Sequence, residues 1–380
     1  FENIHKILDL CFAKTKRKKN IMDLSALLER YQTLLPWNLA RTKCFVSMIL
    51  GMIASGSVQQ HKTALGFIGT AKQKSVCARI RHFLKTFNFN FSDYAQAILE
   101  MAQLKCPLTL ALDRTNWKFG RVDINLLVLA VVIANQFAIP ILWQALPKKG
   151  NSNTQERIDL LKIFIDLFGT QRIAALTADR EFIGKAWVDY LIKHNIPFFI
   201  RIKENRLVEW GEEMRHIAVF FQHLKIGQSR HIQFNLDGHL LFFAGTRSKK
   251  GELVIVMSNQ DKGFKILEIY KRRWTIELLF ANCKKNGFNL EDTHLVNLER
   301  IEKLFAVVCS ALLLCFMVGS VEEKKSPTPF KKTLKTPAFS TFRRGFDFLR
   351  KLLIQTRELA LKLILLLLTQ SPKPRKCLCL

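Results

Sequence analysis

The sequence predicts an α/β protein built on a mixed five-stranded sheet, and three observations carry that prediction. Strand-length apolar runs alternate with helical stretches between residues 105 and 203. Short links separate the first three runs, which favours antiparallel pairing there. Before residue 105 strand signals are few, and apolar residues such as Leu24, Leu27, Leu28 and Tyr31 recur at helical spacing.

Each element follows in chain order. Residues 1–104 are expected to form a helical N-terminal region. Within it, Thr63–Lys85 reads as a helix, a turn marked by Gly69, and a second helix carrying Lys74, Arg79, Arg81 and Lys85. That outline suits a DNA-binding helix-turn-helix and equally an ordinary helical hairpin with a charged face. "CPLTLALDRTNW", "NLLVLAVVIA" and "AIPILWQAL" are the first three strands. A helix over about 153–168 precedes "RIAALTADR", and a helix around 185–194 precedes "IPFFIRIK". Three strands, helix, strand, helix, strand is the element order of a ribonuclease H-like core. Residues 204–264 read as a β-rich insertion with a hairpin turn at Asp237-Gly238. A long helix is expected over 264–285 and an apolar one over Leu304–Ser320, closing a catalytic region of residues 105–320. A Lys- and Pro-rich linker and an amphipathic basic helix over about 342–368 make up a C-terminal region, 321–380.

Charge narrows the function classes. Lys and Arg number 59 against 31 Asp and Glu, a formal charge of +28, which calls for a polyanion: nucleic acid first, an anionic membrane surface second. A basic cluster, Lys14, Lys16, Arg17, Lys18 and Lys19, reads as a solvated arm or a phosphate-touching segment. Leu304–Ser320 falls short of the roughly 20 apolar residues a span needs. Leu359–Leu368 is shorter and interrupted by Lys362, so both are expected to be buried helices. The nine cysteines are scattered, odd in number and without a CxxC pair, which argues against a disulfide framework or zinc site and for a reducing compartment. The chain opens on Phe1 and not on Met, so a natural beginning is expected to be missing.

Two aspartates stand where apolar strands are expected to end: Asp113 after "LTLAL" and Asp179 after "IAALTA". A carboxylate there is costly to desolvate unless paired, hydrated or bound to a metal. Turn-forming Asp is common at strand ends, so one alone says little. Two, on the first and fourth strands of such a core, would lie side by side. The third piece is "YKRRWTIELLFANCKK", in which Tyr270, Arg273, Glu277 and Lys284 follow Y-x2-R-x3-E-x6-K. On a regular helix these share one stripe. A plain surface ion pair between Arg273 and Glu277 would be worth a few tenths of a kcal/mol. Apolar Trp274, Ile276, Leu278, Leu279 and Phe280 around the stripe argue for a cleft instead.

This stripe resembles the YREN-type signature of DDE transposases of the insertion sequence 4 family. "LDRTNW" and "ADREF" are similar to that family's two aspartate motifs, and the order Asp, Asp, β-rich insertion, Glu is also the family's. The likeness spans about residues 100–320. It implies Asp113, Asp179 and Glu277 as catalytic and metal-holding residues, with Mg²⁺ as cofactor and Mn²⁺ as a substitute. Hard carboxylate oxygens suit that choice. It also implies that Arg273 and Lys284 bind phosphates and that Tyr270 packs beside the same backbone. Its partners would be double-stranded DNA, as transposon ends and target, and a second copy in a synaptic homodimer, with no membrane. Localisation would be cytoplasmic and nucleoid-associated, in a bacterium.

Lesser candidates have plainer roles. Asp123 suits a turn and Asp159 a helix face, while His194 suits a helix-end contact. Glu181 is a candidate for supporting Asp179. Trp210 is the Trp of the insertion, with no role assigned. Competing readings are a nuclease that cuts without joining, a remnant that only binds DNA, and a membrane-surface protein.

Overall fold

The computed structural model describes residues 24–67, 69–134, 137–331, 333 and 336–369. The basic cluster at 14–19 and the cysteines Cys11, Cys377 and Cys379 lie outside the described residues. Five helices come first: α1 (Leu24–Leu34), α2 (Leu39–Ser55), α3 (Gln60–Leu65), α4 (Gln73–Thr86) and α5 (Phe91–Met101). Three strands follow, β1 (Leu108–Phe119), β2 (Val122–Ala134) and β3 (Phe137–Ala145). Then come α6 (Thr154–Phe168), β4 (Ile173–Ala178), α7 (Lys185–Lys193) and β5 (Phe198–Ile202). The insertion supplies β6 (Leu207–Trp210), β7 (Glu213–His216), β8 (Ser229–Leu236), β9 (His239–Arg247) and β10 (Leu253–Ser258). The remainder is α8 (Lys265–Lys271), α9 (Trp274–Cys283), α10 (Leu298–Lys325), the short strands β11 (Phe330–Lys331) and β12 (Thr336–Pro337), α11 (Thr341–Gln355) and α12 (Arg357–Thr369).

These elements form two compact units. One takes its described residues from Phe1–Gln103, Trp117–Asp123 and Leu279–Arg375, the other from Leu104–Asn116 and Ile124–Leu278. The sequence reading set residues 321–380 apart as a C-terminal region. In the structure the helices of both chain ends share the first unit, because their buried faces are complementary. Gly319 of α10 meets α11 so closely that an added Cβ would lie 1.9 Å from the Thr341 carbonyl oxygen. One on Gly345 would lie 1.8 Å from that of Cys315. Side chains tie the ends as well: Arg350 donates to the Ala54 carbonyl at 3.1 Å and Arg30 to that of Leu368 at 3.0 Å. Trp37, Phe45, Phe83, Phe87, Phe89 and Tyr94 form an aromatic cluster, with Trp37 edge-on to Phe45 at 5.1 Å. Helix α10 is apolar and long enough to cross a membrane by length and composition, but 89% of its most apolar window is buried inside the protein. The amphipathic stretch expected as one helix over 342–368 is two, α11 and α12, broken at Thr356.

The second unit is a ribonuclease H-like sheet with helices. Its strand order is β3-β2-β1-β4-β5-β10-β9-β8-β6-β7, ten strands in all. The expected five-stranded core is the run β3-β2-β1-β4-β5. The β-rich insertion continues this sheet, because β10 pairs antiparallel with β5 (Ile255 opposite Ile202) and so covers an edge that would otherwise stay open. Strands β4 and β5 run parallel to β1 and β4 respectively. Their apolar runs, buried nearly throughout, are the pattern of strands covered on both faces. Strands β8 and β9 close at Asp237-Gly238, both with positive φ (55° and 87°), as a tight two-residue hairpin requires.

Strand β1 does not end at Asp113 but continues to Phe119. What ends there is its partnership with β4, whose last paired residues are Leu112 and Ala178. The long helix expected over 264–285 is also divided. Around residues 272–276 the backbone bonds run from i to i−3: Arg273 N–H to Tyr270 O at 2.9 Å, Thr275 to Arg272 at 3.1 Å and Ile276 to Arg273 at 2.9 Å. This tighter winding separates α8 from α9, and Lys284 falls just past the end of α9.

Candidate active site

The sheet unit gathers five of the expected site residues. Because β1 and β4 are parallel and in register to Leu112 and Ala178, the next residue on each, Asp113 and Asp179, emerges at the same level of the sheet. Carboxyl ends of parallel strands are where open α/β sheets place their sites. After Asp179 the chain turns at once, Phe182 N–H donating to the Asp179 carbonyl at 2.9 Å, and the Phe182 ring is fully buried. The buried Arg157 of α6 fixes this turn. It donates to the Glu181 carbonyl at 3.0 Å and to Ser152 Oγ at 2.9 Å, with its guanidinium 5.2 Å from the centre of the Phe182 ring.

Arg273 stands at the centre of the network. It donates through Nη1 to Asp113 Oδ2 at 2.9 Å, through Nη2 to Glu277 Oε1 at 2.5 Å and through Nε to Tyr270 Oη at 3.2 Å. The Tyr270 hydroxyl donates to Asp179 Oδ1 at 3.3 Å. One guanidinium and one phenol thus join all three carboxylates. Arg273 is only 8% exposed, so its charge requires these partners.

Burial dominates the electrostatics. It pushes the Asp113 carboxyl up to about 6, against the opposing pull of Arg273 and the Arg114 amide, with Glu181 and Asp179 adding like charge. Burial opposes the charge of Arg273, yet Tyr270, Asp113, Asp179 and Glu277 together hold it above the usual arginine range. Burial likewise raises the Tyr270 phenol, to about 12, so it stays a hydrogen-bond donor at neutral pH.

A second set of residues surrounds this network, of which the sequence reading had singled out Glu181 alone. Arg114 grips Glu181 through Nε at 2.9 Å and Nη2 at 3.1 Å, and also donates to Asn125 Oδ1 and Asn151 Oδ1, each at 3.0 Å. Its own amide donates to Asp113 Oδ1 at 2.7 Å. The signal was present as an arginine following Asp113 and a glutamate two residues after Asp179, but their partners lie 67 residues apart. Arg201 on β5 acts electrostatically on Tyr270 and Asp179 and pairs with Glu252.

Lys284, Arg79 and Arg81 belong to the helical unit, while the lesser candidates are divided between the two units. Lys284 pairs with Glu291 at 2.8 Å and its Nζ lies 5.8 Å from the centre of the Trp117 ring. Arg79 and Arg81 are exposed on α4, whose buried residues Val76, Ile80, Phe83 and Leu84 leave a basic outer face. The link from α3 to α4, residues 66–72, is longer than the roughly 3–4 residues of a DNA-binding helix-turn-helix. Asp123 pairs with Lys118, Asp159 accepts from Gln155, and His194 Nδ1 bonds the Tyr190 carbonyl one turn back. Trp210 is 46% exposed over Phe220 and Phe234.

Asp113, Asp179 and Glu277 supply hard oxygen donors, and Asp113 and Glu277 already share one cation, the guanidinium. This donor chemistry fits a divalent metal such as Mg²⁺. Among the described residues, no group of three or more His, Cys, Asp or Glu side chains is arranged to hold a metal ion. Asp113 and Glu277 converge on Arg273 instead of on one another.

Two aspartates where the parallel strands β1 and β4 part, joined to a helix-borne glutamate through Arg273 and Tyr270, suit the class of nucleases and transferases acting on phosphodiesters. The family model described as "Transposase DDE domain" matches residues 104–314, and the chain belongs to that family. No curated protein matches the chain. Among solved structures it is similar to a piggyBac transposase in a synaptic complex with hairpin DNA. That likeness has 11% identity and a TM-score of 0.48, and covers 89% of this chain and 74% of the other.

Proposed function

We propose that this transposase is of the insertion sequence 4 type, cutting DNA at the ends of its element and joining them to a target with Mg²⁺ or Mn²⁺. The observation that carries the reading is the single network joining Asp113, Asp179 and Glu277 through Arg273 and Tyr270. Three carboxylates suit divalent cations, which would supply activation of a water or a 3′-hydroxyl and stabilisation of the leaving oxygen. Asp113, Asp179 and Glu277 would hold the ions. Bound, the metals supply Lewis acidity at the scissile phosphate. Arg273 and Lys284 bind phosphates beside the cut, Tyr270 packs against the same strand, and Arg79 and Arg81 on the exposed face of α4 bind the flanking duplex. A net charge of +28 supports a nucleic-acid partner. By the same reading the enzyme works as a homodimer on paired ends, in the bacterial cytoplasm at the nucleoid.

The test is incubation of purified protein with DNA carrying the ends of its element and Mg²⁺. Hairpin or strand-joined products are expected. Hydrolysed ends alone would mean a nuclease. DNA binding without any cut would mean a binding-only remnant, the reading favoured by carboxylates that face an arginine instead of one another.

A further inference from the structure

Asp113 and Glu277 present a neutralisation problem that the protein solves by itself. Asp113 is 16% exposed and Glu277 36% exposed at the side chain, and each gives an oxygen to the same Arg273 guanidinium. A guanidinium and a divalent cation are alternative answers to that problem. They compete for the same carboxylate oxygens and repel one another as like charges. Arg273 is also placed to move. It lies at the tight i to i−3 turn between α8 and α9, where a mid-helix change of winding often marks a hinge. Its side chain is long, and its third donor, to the Tyr270 hydroxyl at 3.2 Å, is the weakest of its bonds by distance.

We propose that Arg273 is a displaceable counter-ion that guards the carboxylates. It bridges Asp113 and Glu277 in the metal-free protein, and it frees them for divalent cations when it transfers its guanidinium to a DNA phosphate. The inference rests on the metal-dependent reading above and adds a coupling to it. DNA promotes metal binding and, by linkage, metal promotes DNA binding. The free protein is thereby kept from assembling a competent centre before a phosphodiester is in place.

The experiment measures Mn²⁺ binding to the full chain by calorimetry and by the electron paramagnetic resonance of free Mn²⁺. Wild type, Arg273→Gln, Arg273→Lys and the double variant Arg273→Gln/Asp113→Asn are compared, each with and without duplex DNA carrying the element's end. Without DNA, Arg273→Gln is expected to bind Mn²⁺ on the order of tenfold or more tighter than wild type. The double variant loses the gain, and wild type approaches it only with DNA. Arg273→Lys keeps a charge but cannot bridge two carboxylates as the planar fork does, so it falls between. Thermal unfolding gives a second readout. Mn²⁺ raises the Tm of DNA-free Arg273→Gln by more than that of wild type. Equal Mn²⁺ affinity of DNA-free wild type, Arg273→Gln and Arg273→Lys, with Asp113-dependent binding once DNA is added, overturns the guard while leaving the metal-dependent reading intact. Absence of Asp113-dependent Mn²⁺ binding in every state, DNA-bound included, overturns both.

Discussion

Leu112 and Ala178 are the last paired residues of two parallel strands, and an aspartate follows each of them. That register brings Asp113 and Asp179 to the same level of the sheet although 66 positions separate them, 179 − 113. The Arg273–Tyr270 pair then ties Glu277 to both.

Glu277→Gln should keep DNA binding and abolish cleavage. The amide is nearly isosteric and still accepts from Arg273, but it is a poor ligand for a hard cation. A loss of at least about 10³-fold in the nicking rate is expected, because the metal that would carry the chemistry loses a charged ligand. Gel-shift binding and single-turnover nicking on the same DNA check it, and a variant that nicks normally refutes the metal assignment.

The buried Asp113 predicts a pH signature. Its pKa is raised from the ordinary 3.8 to about 6. Between these values the folded protein holds a proton that the unfolded chain has released. Stability from this group is therefore fully present below about pH 4 and is lost as pH rises through about 6. At about 1.4 kcal/mol per pKa unit, the whole effect is bounded near 3 kcal/mol. Urea unfolding of wild type and Asp113→Asn across pH 4–7 should show a slope in the first that is missing from the second.

The Arg114 fork is expected to matter through Glu181 and Asp113, not through stability alone. Arg114→Lys keeps the charge but gives up the two-toothed grip on Glu181. Nicking should fall about 10–100-fold, as for partners that orient metal ligands. The shift in Mn²⁺ affinity should be similar, with little change in Tm. An unchanged Mn²⁺ affinity would refute a role in positioning the carboxylates.

Gly345 predicts a stability effect away from the site. An added Cβ would lie 1.8 Å from the Cys315 carbonyl oxygen and 2.4 Å from the Gly319 nitrogen, both backbone atoms. Gly345→Ala gains helix propensity but forces α10 and α11 apart, for a net cost of about 1–3 kcal/mol. Thermal unfolding measures it, and a Tm equal to or above wild type would show that the crossing can relax.

Much of the architecture was readable in the sequence because local periodicity and turn chemistry encode it. The alternation of strands and helices over residues 105–203, the Asp237-Gly238 hairpin and the burial of Leu304–Ser320 each depend on residues near one another in the chain. Motif and spacing also singled out Asp113, Asp179, Tyr270, Arg273 and Glu277, which the structure joins in one hydrogen-bonded network. The tertiary structure alone decided the rest. It made the insertion part of one ten-stranded sheet, joined the C-terminal helices to the N-terminal ones, broke the 264–285 helix at Arg273 and turned that side chain onto two carboxylates. The physical reason is common to all four. Strand-edge pairing, helix crossing at glycines and the neutralisation of a buried charge are satisfied by partners distant along the chain, and no local pattern says which partner will be near.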